Sequence, residues 1–351
     1  MDASLVYARA HRLRALRPLR PLRPLPALLP TALSIATVCL AAVTPVPGQA
    51  ASDYPSRPIK LVLGFPPGGS TDVGARRVAD QLGKRLGQPV VVENRPGASG
   101  NIAAAYVAKT PPDGYTLFYG TNTTHAMNVS LYPKLGYDPV KDFVPIVLMG
   151  KVWNVLSVNP SYKATSLAEL IAMAKAAPGQ IDVATPGNST SPHMSLVLLE
   201  SRAGIKITHV PYKGSAAALN DVMGGQTSVL FDNLPASLPY IKAGKLRALA
   251  VSSPKRLSVL PDVPTFDELG IKGYEVAGWG ALWAPAGTPQ AIVDRLNRET
   301  NAVLKDPTMI AQMEALASDP QGGTAKSLAA FAATETQRWG EVIRSAGLKL
   351  D

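Results

Sequence analysis

The chain has 351 residues, 46% hydrophobic and 17% charged, enough to bury a large core and to suggest about two domains. Its 32 prolines and 29 glycines are spread along the chain, which argues for a globular protein and against a disordered one. The formal charge of +10 halves once residues 1–50 are set aside, leaving 29 basic and 24 acidic residues; that balance is too weak and scattered for nucleic acid but compatible with an anionic ligand.

The chain opens on a basic segment, "RLRALRPLRPLRPLP", followed by an uncharged apolar run from Ala27 to Val43 and then "TPVPGQA", with small residues at Gly48 and Ala50. Basic start, apolar middle and small-residue exit read as a secretory signal peptide, cleaved near Ala50. The alternative is an uncleaved anchor, but the run is short for a membrane span and Pro30 breaks it. Cys39 is the only cysteine and is preceded by Val38, not the small residue a lipid anchor wants. The mature chain is therefore expected to have no disulfide, no thiolate nucleophile and no cysteine metal site.

From Tyr54 onward, apolar strand patterns alternate with helical ones. "IKLVLGF" (59–65) reads as a buried strand, and the helix after it carries Ala75, Val78, Ala79, Leu82 and Leu86 at helical spacing before Gly87. "PVVVENR" (89–95), a helix "IAAAYVAKT" and "YTLFYGT" (115–121) complete a β-α-β-α-β order, which implies a parallel sheet with helices on its faces. A long apolar stretch, 143–160, breaks this rhythm. The alternation then restarts through "SLAELIAMAKAA", "IDVATPG", "HMSLVLLESRAG", "ITHVPY", "SAAALNDVMGG", "TSVLFDN" and "LRALAVS". A second long stretch, 273–289, precedes the helical "QAIVDRLNRETNAVLKD" and a final helix over 327–347. Two α/β units joined by two crossing segments suggest a clamshell, with 51–152 plus 276–351 forming one domain and 153–275 the other. A single sheet of ten strands is the alternative. Trp153, Trp279 and Trp283 fall in the crossing segments, so tryptophan fluorescence is expected to respond to ligand.

In open parallel sheets, ligands bind beyond the carboxyl ends of the strands. The first such end is "GFPPGGSTD" (64–72). It lacks the Lys-Ser/Thr of a P-loop and contains no G-x-G-x-x-G; Asp72 stands where a triphosphate would want lysine, which disfavours a nucleotide. Gly68 and Gly69 let backbone approach a ligand, and Ser70, Thr71 or Asp72 suits a helix cap. Free N–H groups at such a helix start form an anion site without a basic side chain. The other strand ends, "NRPGASGN" (94–101), "GTNTTHAMN" (120–128), "TPGNSTSPH" (185–193), "PYKGSAA" (211–217) and "FDNLPAS" (231–237), are rich in Gly, Ser, Thr and Asn, and together they would line a cleft with neutral donors.

Catalytic readings find less support. His125, His193 and His209 show no metal-ligand spacing, and G-x-S-x-G is absent. His193 suits capping or packing as well as ligand contact, Lys213 a solvated loop as well as a carboxylate, and Asp232 a turn as well as an ordered cleft. Arg76 and Arg77 read as solvated.

"YPSRPIKLVLGFPPGGSTD", "VENRPGASGN", "DGYTLFYGT", "LYPKLGYDPVKDF", "THVPYKGSAAALNDVMGGQ" and "GWGALWAPAGTP" resemble, in the same order, motifs of the tripartite tricarboxylate transporter substrate-binding proteins, the TctC or Bug family. The similarity covers 53–351. It implies a periplasmic, two-domain, type II-like Venus flytrap of class α/β, each domain a mostly parallel sheet flanked by helices. The resemblance further implies a non-enzymatic binder of a small carboxylate: a di- or tricarboxylate, an acidic amino acid or an aromatic acid. It implies no cofactor or metal, a monomer, and delivery to tripartite-type membrane subunits or, alternatively, to a periplasmic sensor ectodomain. Carried over residue by residue, the clamp would use Phe65, Gly68, Gly69, Thr71 and Asp72, with Thr121, Thr123, Asn128, Ser189, Ser191, His193, Lys213, Gly214 and Ser215; Asp232 joins them as an ordering or polar contact. "TPGNSTSPH" departs from the family's glycine-rich form at that place. In this reading Asp72 starts the helix and also disfavours highly charged phosphates.

Overall fold

The computed structural model describes residues 54–350; the signal-peptide and Cys39 readings lie outside the described residues. Strand β1 (Ile59–Leu63) lies between β2 (Val90–Asn94) and β3 (Thr116–Thr121), both parallel to it. Helix α1 (Ser70–Leu86) follows β1, and α2 (Asn101–Val107) follows β2. Alternation along β1 sends Ile59, Leu61 and Leu63 to one core, with Ala75, Val78 and Leu82 of α1, while Val62 joins Ala103 and Ala104 of α2 in another. Both faces are buried, which explains the continuous apolar run. After β3 a short π-turn over Thr123–Met127 leads into α3 (Asn128–Leu131).

The apolar stretch that breaks the sequence rhythm is itself one long strand, β4 (Phe143–Val158). Its first part, Phe143 to Trp153, pairs antiparallel with β9 (Ala277–Pro285), which in turn pairs antiparallel with β3. From Asn154 to Val158 it pairs instead with β7 (Val229–Asn233), and over Val155–Val158 also with β8 (Arg247–Val251). The second half continues with β5 (Asp182–Thr185), parallel to both β7 and β6 (Thr208–Pro211). Among the described residues the hydrogen-bonded path is thus one ten-stranded sheet, β2-β1-β3-β9-β4-β7-β5-β6, with β8 and the short β10 (Ser318–Pro320) also on β4. The clamshell and the ten-strand readings therefore meet: two α/β halves share β4, because the crossing segments pair as strands instead of running as loops.

In the second half α4 (Leu167–Ala176) and α5 (Ser191–Ala203) cover one face; α6 (Ser215–Met223) and α7 (Leu234–Lys242) lie with the other cores. Helices α8 (Gln290–Leu304) and α9 (Pro307–Glu314) return the chain to the first half, and α10 (Ala325–Ser345) closes it. The sequence reading had no α7, α9 or β10. Pro235 and Pro239 sit inside α7; Pro235 is tolerated in the first turn, where the N–H has no helical partner anyway.

Candidate functional site

The carboxyl ends of β1, β3, β5, β6 and β7 open onto one cleft of about 1190 Å³, its mouth included. On the first half's side, Gly68 takes φ 84, a left-handed turn that costs glycine least. That turn aims its N–H at the Asp72 carboxylate, 3.0 Å away. Helix α1 begins immediately after, with Gly69 as N-cap and no side chain capping it. The N–H groups of its first turn have no helical partners, and Gly69, Ser70 and Thr71 line the cleft. On the facing side α6 begins in the same way: Gly214 is an N-cap without a side-chain cap, and Gly214, Ser215 and Ala216 line the wall. Two helix N-termini, each a partial positive charge, thus meet one space.

Two hydroxyls on this wall, Ser70 Oγ and Thr121 Oγ1, are buried without a hydrogen-bond partner among the described residues. Thr121 is only 5% exposed, and its register with Gly280 of β9 puts it on the sheet face that bears the cleft. Buried orphan hydroxyls are costly, so these two mark positions where a ligand's polar atom is wanted. Tyr119, two residues back on the same face, also lines the cleft, and burial pushes its hydroxyl up to about 12. Among the described residues no Asp, Glu or His lines the cleft, whereas Arg77 and Lys213 do. Lys151 reaches the wall from β4, but its register with Trp279 turns its side chain to the opposite face, where its ammonium lies 5.4 Å from the Phe331 ring.

The far wall is fixed by a buried amide. Asn154 Oδ1 accepts from Asn233 Nδ2 at 2.6 Å and from Ser191 Oγ at 3.2 Å; Asn154 Nδ2 donates to Ser195 Oγ at 2.8 Å. Because Asn154 is the β4 residue at which pairing passes from β9 to β7, the crossing point itself orients Ser191 and Asn233. The halves touch at the mouth: Thr123 Oγ1 donates to Ser189 O (3.0 Å), Ser99 Oγ donates to Asn188 O (3.1 Å), and Gly214 lies against Pro66.

Of the residues named from sequence, Phe65, Gly69, Thr71, Thr121, Thr123, Ser191, Lys213, Gly214 and Ser215 line the cleft. The remainder stand behind it. Besides Gly68, Asp72 accepts from Arg76 and Asn94; burial opposes ionisation, but these hydrogen bonds hold its carboxyl below the ordinary value. Asn128 donates to Ser99 O and Asn101 Oδ1. Ser189, at φ 58, donates its N–H to His193 Nδ1 at 3.2 Å, and His193 stacks on His209 at 4.0 Å. Asp232 is fully buried and accepts from Ser215, Ser237 and the Asn233 N–H. Arg76 is exposed as read but paired with Asp72, while Arg77, read as solvated, is half-buried on the cleft wall and donates to Gln312 O.

Sequence reasoning passed over Tyr119, Arg77 and the apolar pair Met313 and Leu316 as cleft residues, and named Asn233 only as part of its loop. A signal existed for Arg77, which lies seven residues after Ser70 and so on the same helical face. None existed for Met313 and Leu316, which belong to a helix and turn that carry no cleft-like motif. Of the tryptophans in the crossing segments, Trp279 lines the cleft while its indole donates to Glu335 on α10, and Trp283 stacks on His125 at 4.1 Å. Among the described residues no group of three or more His, Cys, Asp or Glu is placed to hold a metal.

A family model described as tripartite tricarboxylate transporter family receptor matches residues 74–348. Protein BugT of Bordetella pertussis is 41% identical over 301 residues, covering 86% of this chain and 92% of that protein. Among solved structures, R. palustris Rpa4515 with adipate superimposes with a TM-score of 0.83 at 41% identity, covering 85% of this chain and 100% of that one. MatC (Rpa3494) from Rhodopseudomonas palustris with bound malate gives 0.78 at 33% identity, covering 83% and 100%.

Proposed function

The chain belongs to the tripartite tricarboxylate transporter receptor family, and from that premise we propose that it captures a small carboxylate in its interdomain cleft for a tripartite-type membrane transporter. The family is one of substrate-binding proteins, not of enzymes. The lobes are 51–152 with 276–351, and 153–275. The mature protein begins near Ala51 after signal-peptide removal and works in the periplasm as a monomer.

One observation carries the reading. The cleft wall combines two uncapped helix N-termini, two orphan hydroxyls and basic side chains, with no acidic group to repel an anion. A carboxylate satisfies the N–H groups of α1 without the lysine that a phosphate loop needs. The related structures carry adipate and malate, ligands of this chemistry. Asn128, Ser189, His193 and Asp232 then act as supports that hold Ser99, Thr190–Ser191 and Ser215 in place, and Asp72 shapes the Gly68 turn. Ligand joins the two halves across the mouth and shifts the population towards the closed form.

The test is a thermal-melt panel in which each acid is paired with its amide. At a hundredfold over its Kd a true ligand adds about 2.7 kcal/mol. An acid that raises Tm while its amide does not supports the clamp. Equal shifts from acid and amide, or no shift from any carboxylate on ligand-stripped protein, would overturn it.

A further inference from the structure

The α1 residues on the cleft wall are Ser70, Thr71, Val73, Gly74, Arg77 and Val78. This is one helical stripe two turns long, so the cleft runs along α1 and does not stop at its N-terminus. Arg77 lies seven residues beyond Ser70, about 10 Å along the axis at 1.5 Å per residue. Its guanidinium meets no carboxylate among the described residues; one arm donates to the carbonyl of Gln312 at 3.0 Å. That bond brings α9 to the wall, and Met313, the next residue, packs its terminal methyl against Gly150 of β4. Between the two ends, Val73, Val152, Met313 and Leu316 face the space; they are half-buried or, for Val73, exposed. The cleft thus has a donor-rich start, an apolar middle and a cation at its far end.

Resting on the carboxylate reading above, we propose that the ligand is an unbranched aliphatic dicarboxylate of medium length, with Arg77 the residue that selects the second carboxylate. One carboxylate sits at the α1 N-terminus, the methylene chain covers Val73, Val152, Met313 and Leu316, and the other carboxylate takes the free arms of the guanidinium. Arginine suits this role because one N–H group can cap the Gln312 carbonyl while others still present a fork to a carboxylate. A short polar acid such as malate leaves the apolar stretch uncovered and falls short of Arg77, and a monoacid leaves the cation without an anion.

The experiment is calorimetric titration of the purified, ligand-stripped protein with adipate, suberate, hexanoate and malate, repeated on Arg77→Met and Arg77→Lys. Wild type should bind adipate or suberate at least about tenfold tighter than hexanoate, the scale of one charge-assisted contact. In Arg77→Met that ratio should collapse to within about threefold, and Arg77→Lys should restore part of it. If Arg77 only caps α9, the methionine variant will lose Tm and weaken all acids alike. An unchanged ratio overturns the proposal. So does hexanoate binding wild type as well as adipate does, or malate binding tighter than either diacid; in both cases the carboxylate reading survives. Failure of all four acids, and of the wider panel of acids and amides, overturns both.

Discussion

Thr121 shows how a single side chain separates stability from function. Its backbone N–H is satisfied by Thr124 Oγ1 at 3.0 Å, but its hydroxyl is buried without a partner. Replacing an unpaired hydroxyl with a methyl group removes a desolvation cost. Thr121→Val should therefore leave the ligand-free Tm level or raise it, while weakening the best carboxylate by about tenfold; a Tm drop with affinity intact would show that the hydroxyl serves packing. Asp72 is the converse. Its carboxylate is engaged by Gly68, Arg76 and Asn94 and lies off the cleft, so Asp72→Asn should cost about 1–3 kcal/mol of stability and still not admit inorganic phosphate. Phosphate binding by that variant, read by calorimetry, would restore a direct selectivity role to Asp72. Sequence named both residues, but it had no means of telling which of them faces the ligand, since a strand-end or helix-start residue contacts the ligand or the protein according to how the loop turns.

At the scale of elements, strand β9 has to be bare where it crosses the cleft floor. A Cβ at Gly280 would overlap the Tyr119 ring, and one at Gly278 would stand 2.7 Å from Ser191 Oγ. Gly280→Ala should thus cost about 1–3 kcal/mol by overpacking and weaken acid binding by displacing Tyr119. Denaturant unfolding and calorimetry together check this, and full affinity in the variant would remove Tyr119 from the site. Strands β1 to β3 and β5 to β8 and helices α1, α2, α4 to α6, α8 and α10 were readable because each has a clear period or cap; β4 and β9 were read as crossing segments, α7 hid behind two prolines, and α9 and β10 are short. The fate of the tryptophans was unreadable for another reason. A strand shows its alternation but not which face meets the cleft, and β4 shifts register between Leu148 and Gly150.

For the whole molecule, buried histidines govern behaviour in acid. Burial lowers His125 to about 3, burial and the neighbouring His209 lower His193 to about 3, and burial lowers His209 to about 4. An unfolded histidine titrates near 6.5, so below that pH the unfolded chain gains protons that the folded chain refuses. The stability these residues contribute is complete above about pH 6.5 and is lost as pH falls towards about 3 to 4. Asp232 works in the opposite sense. Burial, against the hydrogen bonds from Ser215, Ser237 and Asn233, raises it to about 6, so it takes up its proton in the folded state first and stabilises as pH falls below about 6. With three groups against one, Tm should decline from pH 6.5 to 4, and Asp232→Asn, which lacks the offset, should decline more steeply. A flat profile would show that these histidines protonate in the folded protein.

Sequence by itself determined the α/β class, the chain order of β1 to β3 and β5 to β8, and the placing of glycine and hydroxyl loops at their carboxyl ends, because period, caps and turns are local properties of the chain. It also carried the motifs that resemble the receptor family. Only the tertiary structure decided that the crossing segments are paired strands, that Thr121 faces the cleft while Asn128 lies behind it, and that Arg77 ends the cleft beside α9. Those facts depend on register, on one strand shared by two halves, and on contacts between residues more than two hundred positions apart, as from Arg77 to Gln312; no local pattern of residues specifies them.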